Sequence, residues 1–278
     1  MNLILQSLHD IPASLLDQLT DLTLADRIEQ VGTHAFRLCG ARQHEAVAEQ
    51  CYEHQLDYAY VDPNRKLGDL GLVVMDMDST LISIECIDEI ADMHGLKPQV
   101  AEITEAAMRG EMDFAESLTR RVALLEGLDE GALLRVYDER LRLNPGAETM
   151  LAALKQHGVK TLLVSGGFTF FTDRLQTRLG LDYAHANTLE VEDGRLTGRV
   201  LGGIVDAQGK ADWLNHIRSE LGLHPQQVVA MGDGANDLKM MAEAGTSIAY
   251  HAKPVVRAQA THALNFVGLD GLLPLFGG

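Results

Sequence analysis

Positive charge is scarce in this chain. Its 278 residues carry 23 Lys and Arg against 40 Asp and Glu, a formal net charge of −17. Proteins hold the phosphate backbone of nucleic acids with clustered Lys and Arg, so a balance this acidic excludes nucleic acid as a partner. Cysteine is scarce as well. Cys39, Cys51 and Cys86 form an odd set at no metal-ligand spacing, which predicts reduced thiols in a cytoplasmic protein rather than a disulfide framework. No apolar run approaches the roughly 18 residues of a membrane span. The opening Met1-Asn2-Leu3-Ile4-Leu5-Gln6 lacks the basic start of a signal peptide. A soluble chain with no membrane partner is therefore expected. There is no repeat and no low-complexity tract, and the histidines, His94 and His157 among them, show no ligand spacing.

What is present changes character near residue 70. Residues 1–69 mix short apolar runs with polar ones, and Pro12–Leu19 places apolar residues at roughly helical spacing. The stretch Pro63-Asn64-Arg65 with Gly68 reads as a linker. From Gly71 onward strand and helix patterns alternate. Leu72-Val73-Val74-Met75, Val159–Val164 and Val228-Val229-Ala230-Met231 are short apolar runs of the kind that form interior parallel strands, each followed by a polar or Gly-rich loop and a helical pattern. Thr246–Ala249 and Leu264–Val267 are candidates for further strands. The run Leu189–Val200 alternates around Asp193-Gly194, a hairpin signal. Residues 84–143 have helical periodicity, with Ile84, Ile87, Ile90 and Met93 recurring every third position. That is longer than a crossover helix requires, and predicts a small helical cap over the strand ends. The fold class is α/β.

Ligands in open parallel sheets bind beyond the carboxyl ends of the strands. Here those ends carry Asp76-Met77-Asp78-Ser79-Thr80, Ser165-Gly166-Gly167 and Gly232-Asp233-Gly234-Ala235-Asn236-Asp237. Two acids so close repel, so a cation between them or a proton on one is expected. One carboxylate then binds metal and attacks phosphorus, while the other carries a proton for the leaving group. Taken alone, each run has a plain alternative: an acidic helix cap, a Gly/Asn/Asp turn, a solvated lysine at Lys210.

Together, D-x-D-x-T, a strand-end Ser, a Lys and G-D-x-x-N-D in this order resemble the haloacid dehalogenase-like phosphatase superfamily. The resemblance implies a Rossmann-like core with a parallel sheet and makes Asp76 the nucleophile that forms an aspartyl-phosphate. It makes Asp78 the acid that protonates the leaving oxygen and then the base that activates water. Mg²⁺ would be held by Asp76, the backbone carbonyl of Asp78, and Asp233. Ser165, the Gly166 N–H and Lys210 would hold phosphoryl oxygens, with Asn236 and Asp237 contacting phosphate or orienting Lys210 and the metal shell.

The runs Asp76–Glu85, Val164–Phe168, Gly232–Asp237, Met108–Phe114 and Ser117–Val122 are similar to those of phosphoserine phosphatases, and the similarity continues from about residue 71 to the C-terminus. By that resemblance Glu85 binds the substrate ammonium and Arg121 its carboxylate, with Met108 and Phe114 packed around them. It implies hydrolysis of O-phospho-L-serine, the last step of serine biosynthesis. Spacing alone leaves Glu85, Arg120 and Arg121 as solvated surface groups, and Met108 and Phe114 as cap core. Some longer members of that family carry an ACT-like regulatory domain ahead of the catalytic part. Residues 1–69 are thus open to a small α/β domain that senses an amino acid or forms a homodimer, with the catalytic domain at 70–278 and its cap at about 84–143. Two other readings stand beside hydrolysis. One is a phosphotransferase that passes phosphate from Asp76 to an alcohol such as homoserine. The other is a non-catalytic amino-acid-binding protein, which has no need of a nucleophile.

Overall fold

The computed structural model describes residues 1–277. The amino-terminal part runs β1 (Asn2–Gln6), α1 (Ala13–Thr23), β2 (Arg27–Gly32), β3 (Ala35–Cys39), α2 (Ala46–Glu53) and β4 (Asp57–Val61). Its four strands form an antiparallel sheet in the order β2-β3-β1-β4. Alternation decides its two faces. Leu3 and Leu5 point into a small core with Leu15, Leu16 and Leu19 of the predicted helix, whereas Ile4, Ala59 and Val61 join the main core of the catalytic part.

The expected linker is in fact tied down. Leu67 is buried, and the Arg65 guanidinium donates to Thr246 Oγ1 at 2.7 Å and to the Gln226 carbonyl at 2.8 Å. In β4, the buried Asp57 carboxylate accepts from the backbone N–H groups of Asn265, Phe266 and Val267 at 2.6, 2.9 and 2.9 Å. These contacts fasten the amino-terminal sheet to the end of the catalytic part.

The second sheet contains β5 (Leu72–Met75), β6 (Lys160–Phe168), β7 (Tyr183–Glu192), β8 (Arg195–Leu201), β9 (Val228–Gly232), β10 (Thr246–Tyr250) and β11 (His262–Leu264), in the order β11-β10-β9-β5-β6-β7-β8. All neighbours are parallel except the β7–β8 hairpin. In that hairpin's turn Asp193 and Gly194 adopt φ of 51° and 74°, the left-handed pair that a two-residue turn demands. Leu72 and Val74 face one core with Leu214 and Ile217, and Val73 and Met75 face the other. A strand buried on both faces reads as an unbroken apolar run, which is why β5 and β9 were visible in the sequence.

Two strands differ from expectation. β6 continues through Ser165-Gly166-Gly167 to Phe168, with its register to β7 shifting between Val164 and Phe168. β11 ends at Leu264, because the Asp57 carboxylate takes the backbone donors of residues 265–267 that a longer strand would use. The cap holds α3 (Cys86–Met93), α4 (Lys97–Met108), α5 (Phe114–Ala123) and α6 (Gly131–Arg135), continued by a helical turn at Val136–Arg140. Ile84 precedes the first of these helices. The remaining helices, α7 (Ala147–Gln156), α8 (Thr169–Leu179), α9 (Ala207–Glu220), α10 (Leu238–Ala242) and α11 (Pro254–Arg257), connect the strands. No described helix is long and apolar enough to cross a membrane.

Candidate active site

β9, β5 and β6 lie side by side in the middle of the sheet, so Asp233, Asp76 and Ser165 emerge together. The Asp76 N–H donates to the Met231 carbonyl at 3.0 Å, locking the strand end. Its carboxylate Oδ1 accepts from the Met77 N–H at 2.7 Å and from Lys210 Nζ at 2.8 Å. Lys210 sits on the first turn of α9, which Asp206 caps by accepting from the Gly209 N–H at 2.8 Å. The ammonium is buried and also donates to Asp237 Oδ1 at 2.7 Å, while Asp237 Oδ2 accepts from the Gly234 N–H at 3.0 Å. Lys210 is thus held between two carboxylates, and Asp237 orients it.

After Asp76 the chain turns sharply. Ser79 has φ of +56°, a left-handed conformation uncommon outside glycine and a mark of strain at functional loops. The turn is pinned by the Ser79 N–H donating to the Ile84 carbonyl and by the Ser79 hydroxyl donating to Glu85 Oε1 at 2.7 Å. Asp78 Oδ1 accepts from the Cys86 N–H at 2.8 Å, and Oδ2 accepts from the Ser165 hydroxyl at 3.3 Å. Two glycines permit this crowding. A Cβ on Gly167 would meet Asp78 Oδ2 at 2.7 Å, and one on Gly166 would meet the Phe114 ring at 2.8 Å. The second approach brings the cap down onto the core.

The carboxylates outnumber the cations here. Burial, reinforced by Asp237, pushes the Asp76 carboxyl well above its ordinary value despite Lys210. Burial also raises Asp78. Asp233 is pushed up to about 6 by burial and by Asp237, with Thr80 Oγ1 donating to its Oδ1 at 3.2 Å. Burial opposes the charge on Lys210, yet Asp237 and Asp76 hold its pKa above the ordinary value. Asp76, Asp233 and Asp237 each offer an oxygen within 4.8 Å of the others. An all-oxygen set of this kind, short of positive charge, fits a hard divalent cation. The Asp78 side chain stands outside the cluster, its oxygens spent on Cys86 and Ser165. Asp237 stands inside it, but both its oxygens already have donors, so Asp76 and Asp233 are the freer ligands.

A cavity of about 480 Å³ is lined by Asp76, Asp78, Ser165, Gly166, Asp233 and Asn236 from the strand ends and by Glu85, Phe114 and Arg121 from the cap. Arg120 is exposed and paired with Glu116 at 2.6 Å. Arg121 turns inward, and no described carboxylate lies within the 4.0 Å of an ion pair, which separates the two neighbouring arginines. Glu85 is open to water within the cleft, yet the protein around it and the nearby Asp78 push its carboxyl up to about 7. Met108 also lines the cavity, at its rim, and is 69 % exposed, so it is no part of a cap core. Asn144 is a further residue of the site that no sequence pattern marks. Its side-chain amide donates to the Thr80 and Ile82 carbonyls at 2.8 and 3.1 Å and braces the Asp76 loop from behind. A lone Asn after a helical segment gives no signal of this.

The family model of haloacid dehalogenase-like hydrolases matches residues 73–242, and one for a domain of unknown function matches residues 3–47. The phosphoserine phosphatase of Polaromonas sp. is 57 % identical over 218 residues, 77 % of this chain and 92 % of that protein. Among solved structures, the unliganded probable phosphoserine phosphatase from Vibrio cholerae superposes with a TM-score of 0.87 at 40 % identity, over 99 % of this chain and 85 % of that one. A HAD family hydrolase from Salmonella enterica serovar Typhi gives a TM-score of 0.90 at 33 % identity, over 99 % of this chain and 97 % of that one. With its strand-end aspartates, buried lysine and helical cap in the matched segment, this chain belongs to the haloacid dehalogenase-like hydrolase family.

Proposed function

We propose that this chain hydrolyses O-phospho-L-serine to L-serine and phosphate through a phosphorylated Asp76. The observation that carries the reading is one cavity joining Asp76 to Glu85 and to Arg121, a cation without a carboxylate partner among the described residues. A zwitterion with a phosphate arm needs such a layout, an anion for its ammonium and a guanidinium fork for its carboxylate. The Polaromonas relative supports the same substrate.

The Asp76 carboxylate attacks phosphorus and the bond to the serine oxygen breaks. Asp78 protonates that oxygen, and its raised pKa favours the protonated start. Water then attacks phosphorus, Asp78 takes its proton, and the acyl-phosphate bond breaks to restore Asp76. The Ser165 hydroxyl, the Gly166 N–H, Lys210 and Asn236 hold the phosphoryl oxygens, while Met108 and Phe114 pack around the serine. Asp76, the backbone carbonyl of Asp78, and Asp233 would hold Mg²⁺, which when bound supplies positive charge that this carboxylate-rich site lacks. The division into residues 1–69 and 70–278, with a cap at about 84–143, belongs to the same proposal. So does a place at the last step of serine biosynthesis in the cytoplasm, where the buried Cys39, Cys51 and Cys86 stay reduced.

Phosphate release from L-phosphoserine, phosphothreonine and a sugar phosphate, with Mg²⁺ and with chelator, tests the reading. A Mg²⁺-dependent preference for phosphoserine is expected. Equal turnover of all three would remove the substrate assignment, and transfer to added homoserine in place of free phosphate would make the chain a phosphotransferase.

A further inference from the structure

Asn187, in β7, is 1 % exposed and touches none of the reacting groups. Its amide nitrogen donates to the Gly166 carbonyl at 2.8 Å, and its amide oxygen accepts from the Val205 N–H at 2.8 Å. A carbonyl only accepts and an N–H only donates, so these partners dictate which way the amide faces. The Gly166 carbonyl belongs to the same planar peptide as the Gly167 N–H, and holding one aims the other. That N–H donates to Ser165 Oγ at 2.8 Å, and the Ser165 hydroxyl donates to Asp78 Oδ2 at 3.3 Å. On its other side, Val205 immediately precedes Asp206, the cap of the helix that carries Lys210. One buried amide therefore joins the two segments that supply the phosphate-binding groups.

We propose that Asn187 is a positioning residue for phosphoryl transfer. Through the Gly166–Gly167 peptide it aims Ser165 toward Asp78, and through Val205 it sets the distance from that loop to the Lys210 helix. The inference rests on the proposed phosphatase chemistry and extends it to a residue outside the cavity.

Asn187→Asp keeps the acceptor for Val205 but sets a carboxylate oxygen against the Gly166 carbonyl. Asn187→Ala removes both bonds and serves if the first variant does not fold. Each is compared with wild type and with Leu175→Ala, a core truncation that lowers stability away from the site. Two quantities are read at a temperature where circular dichroism shows every variant folded: kcat, and the Kd of inorganic phosphate with Mg²⁺ by calorimetry. Misplacing reacting groups by a fraction of an ångström predicts at least about a tenfold fall in kcat and a comparable rise in the phosphate Kd for the Asn187 variants. Leu175→Ala should shift only Tm. If the Asn187 variants shift Tm alone, the residue is merely structural and the inference falls. Phosphate binding does not depend on which phosphomonoester is the substrate. A wild type that binds phosphate but ignores phosphoserine would refute the proposed function and leave this comparison decisive.

Discussion

Under the proposed function, truncating Arg121 should cost recognition of the substrate carboxylate and little else. The guanidinium lies in the cavity with no described carboxylate at ion-pair distance; only its Nε has an internal partner, the Ser117 carbonyl at 3.4 Å, which leaves the two terminal nitrogens for a ligand. Burial lowers its pKa somewhat, with Asp88 and Glu85 opposing, but an arginine remains charged at any working pH. A charge-assisted hydrogen bond contributes about 1.5–3 kcal/mol. The two bonds of a fork, discounted for a cleft open to water, come to about 3–4 kcal/mol, or about a hundred- to a thousandfold in kcat/KM. The assay compares initial rates on phosphoserine and on O-phosphoethanolamine, which lacks the carboxylate. Arg121→Ala should lower kcat/KM by that factor for phosphoserine and by less than about threefold for phosphoethanolamine. Arg121→Lys should recover only part, since an ammonium cannot form the fork. An equal loss on both substrates would refute the assignment and make Arg121 a structural part of the cap.

Other consequences follow from buried charge. Lys210→Met leaves Asp76 and Asp237 facing each other without their shared ammonium; denaturation at neutral pH should show a loss of about 3–5 kcal/mol, partly recovered by adding Asp237→Leu, and a loss below about 1 kcal/mol would contradict the pairing. Asp57→Ala orphans the N–H groups of Asn265, Phe266 and Val267; a loss of about 3 kcal/mol or more should appear in the same measurement, and an unchanged midpoint would mean that the carboxylate is not what fastens the amino-terminal sheet. His262 has its pKa lowered from 6.5 to about 4 by burial and by Arg65. The unfolded chain therefore binds the extra proton first, so this residue's stabilising contribution is complete above about 6.5 and is lost as pH falls toward 4, by up to about 3 kcal/mol. His262→Gln should flatten the stability curve in that window, and an identical curve would refute the assignment.

The catalytic sheet was legible because strands buried on both faces leave unbroken apolar runs, as at Leu72–Met75 and Val228–Met231. Asp76, Ser165 and Asp233 were legible because they follow those runs, and Lys210 only through the family resemblance; the structure brings all four to one place. What the sequence hid depends on contacts distant along the chain. Asp57 reaches across more than two hundred residues to end β11 early, and no local pattern announces such a bond. The orientations of Arg120 and Arg121 are indistinguishable by spacing; the Glu116 partner of Arg120 separates them. Asn144 and Asn187 are single amides whose partners are backbone atoms, and backbone atoms carry no side-chain signature.

In the proposed reaction Asp76 carries the phosphoryl group. Rapid acid quench during turnover of phosphoserine, followed by borohydride reduction and peptide mass spectrometry, reads it directly. The expected product is an acyl phosphate whose reduction converts residue 76, and only residue 76, to homoserine, with no such product from Asp76→Asn. Turnover with no modified aspartate, or with the label on Asp78 or Asp233, would contradict it.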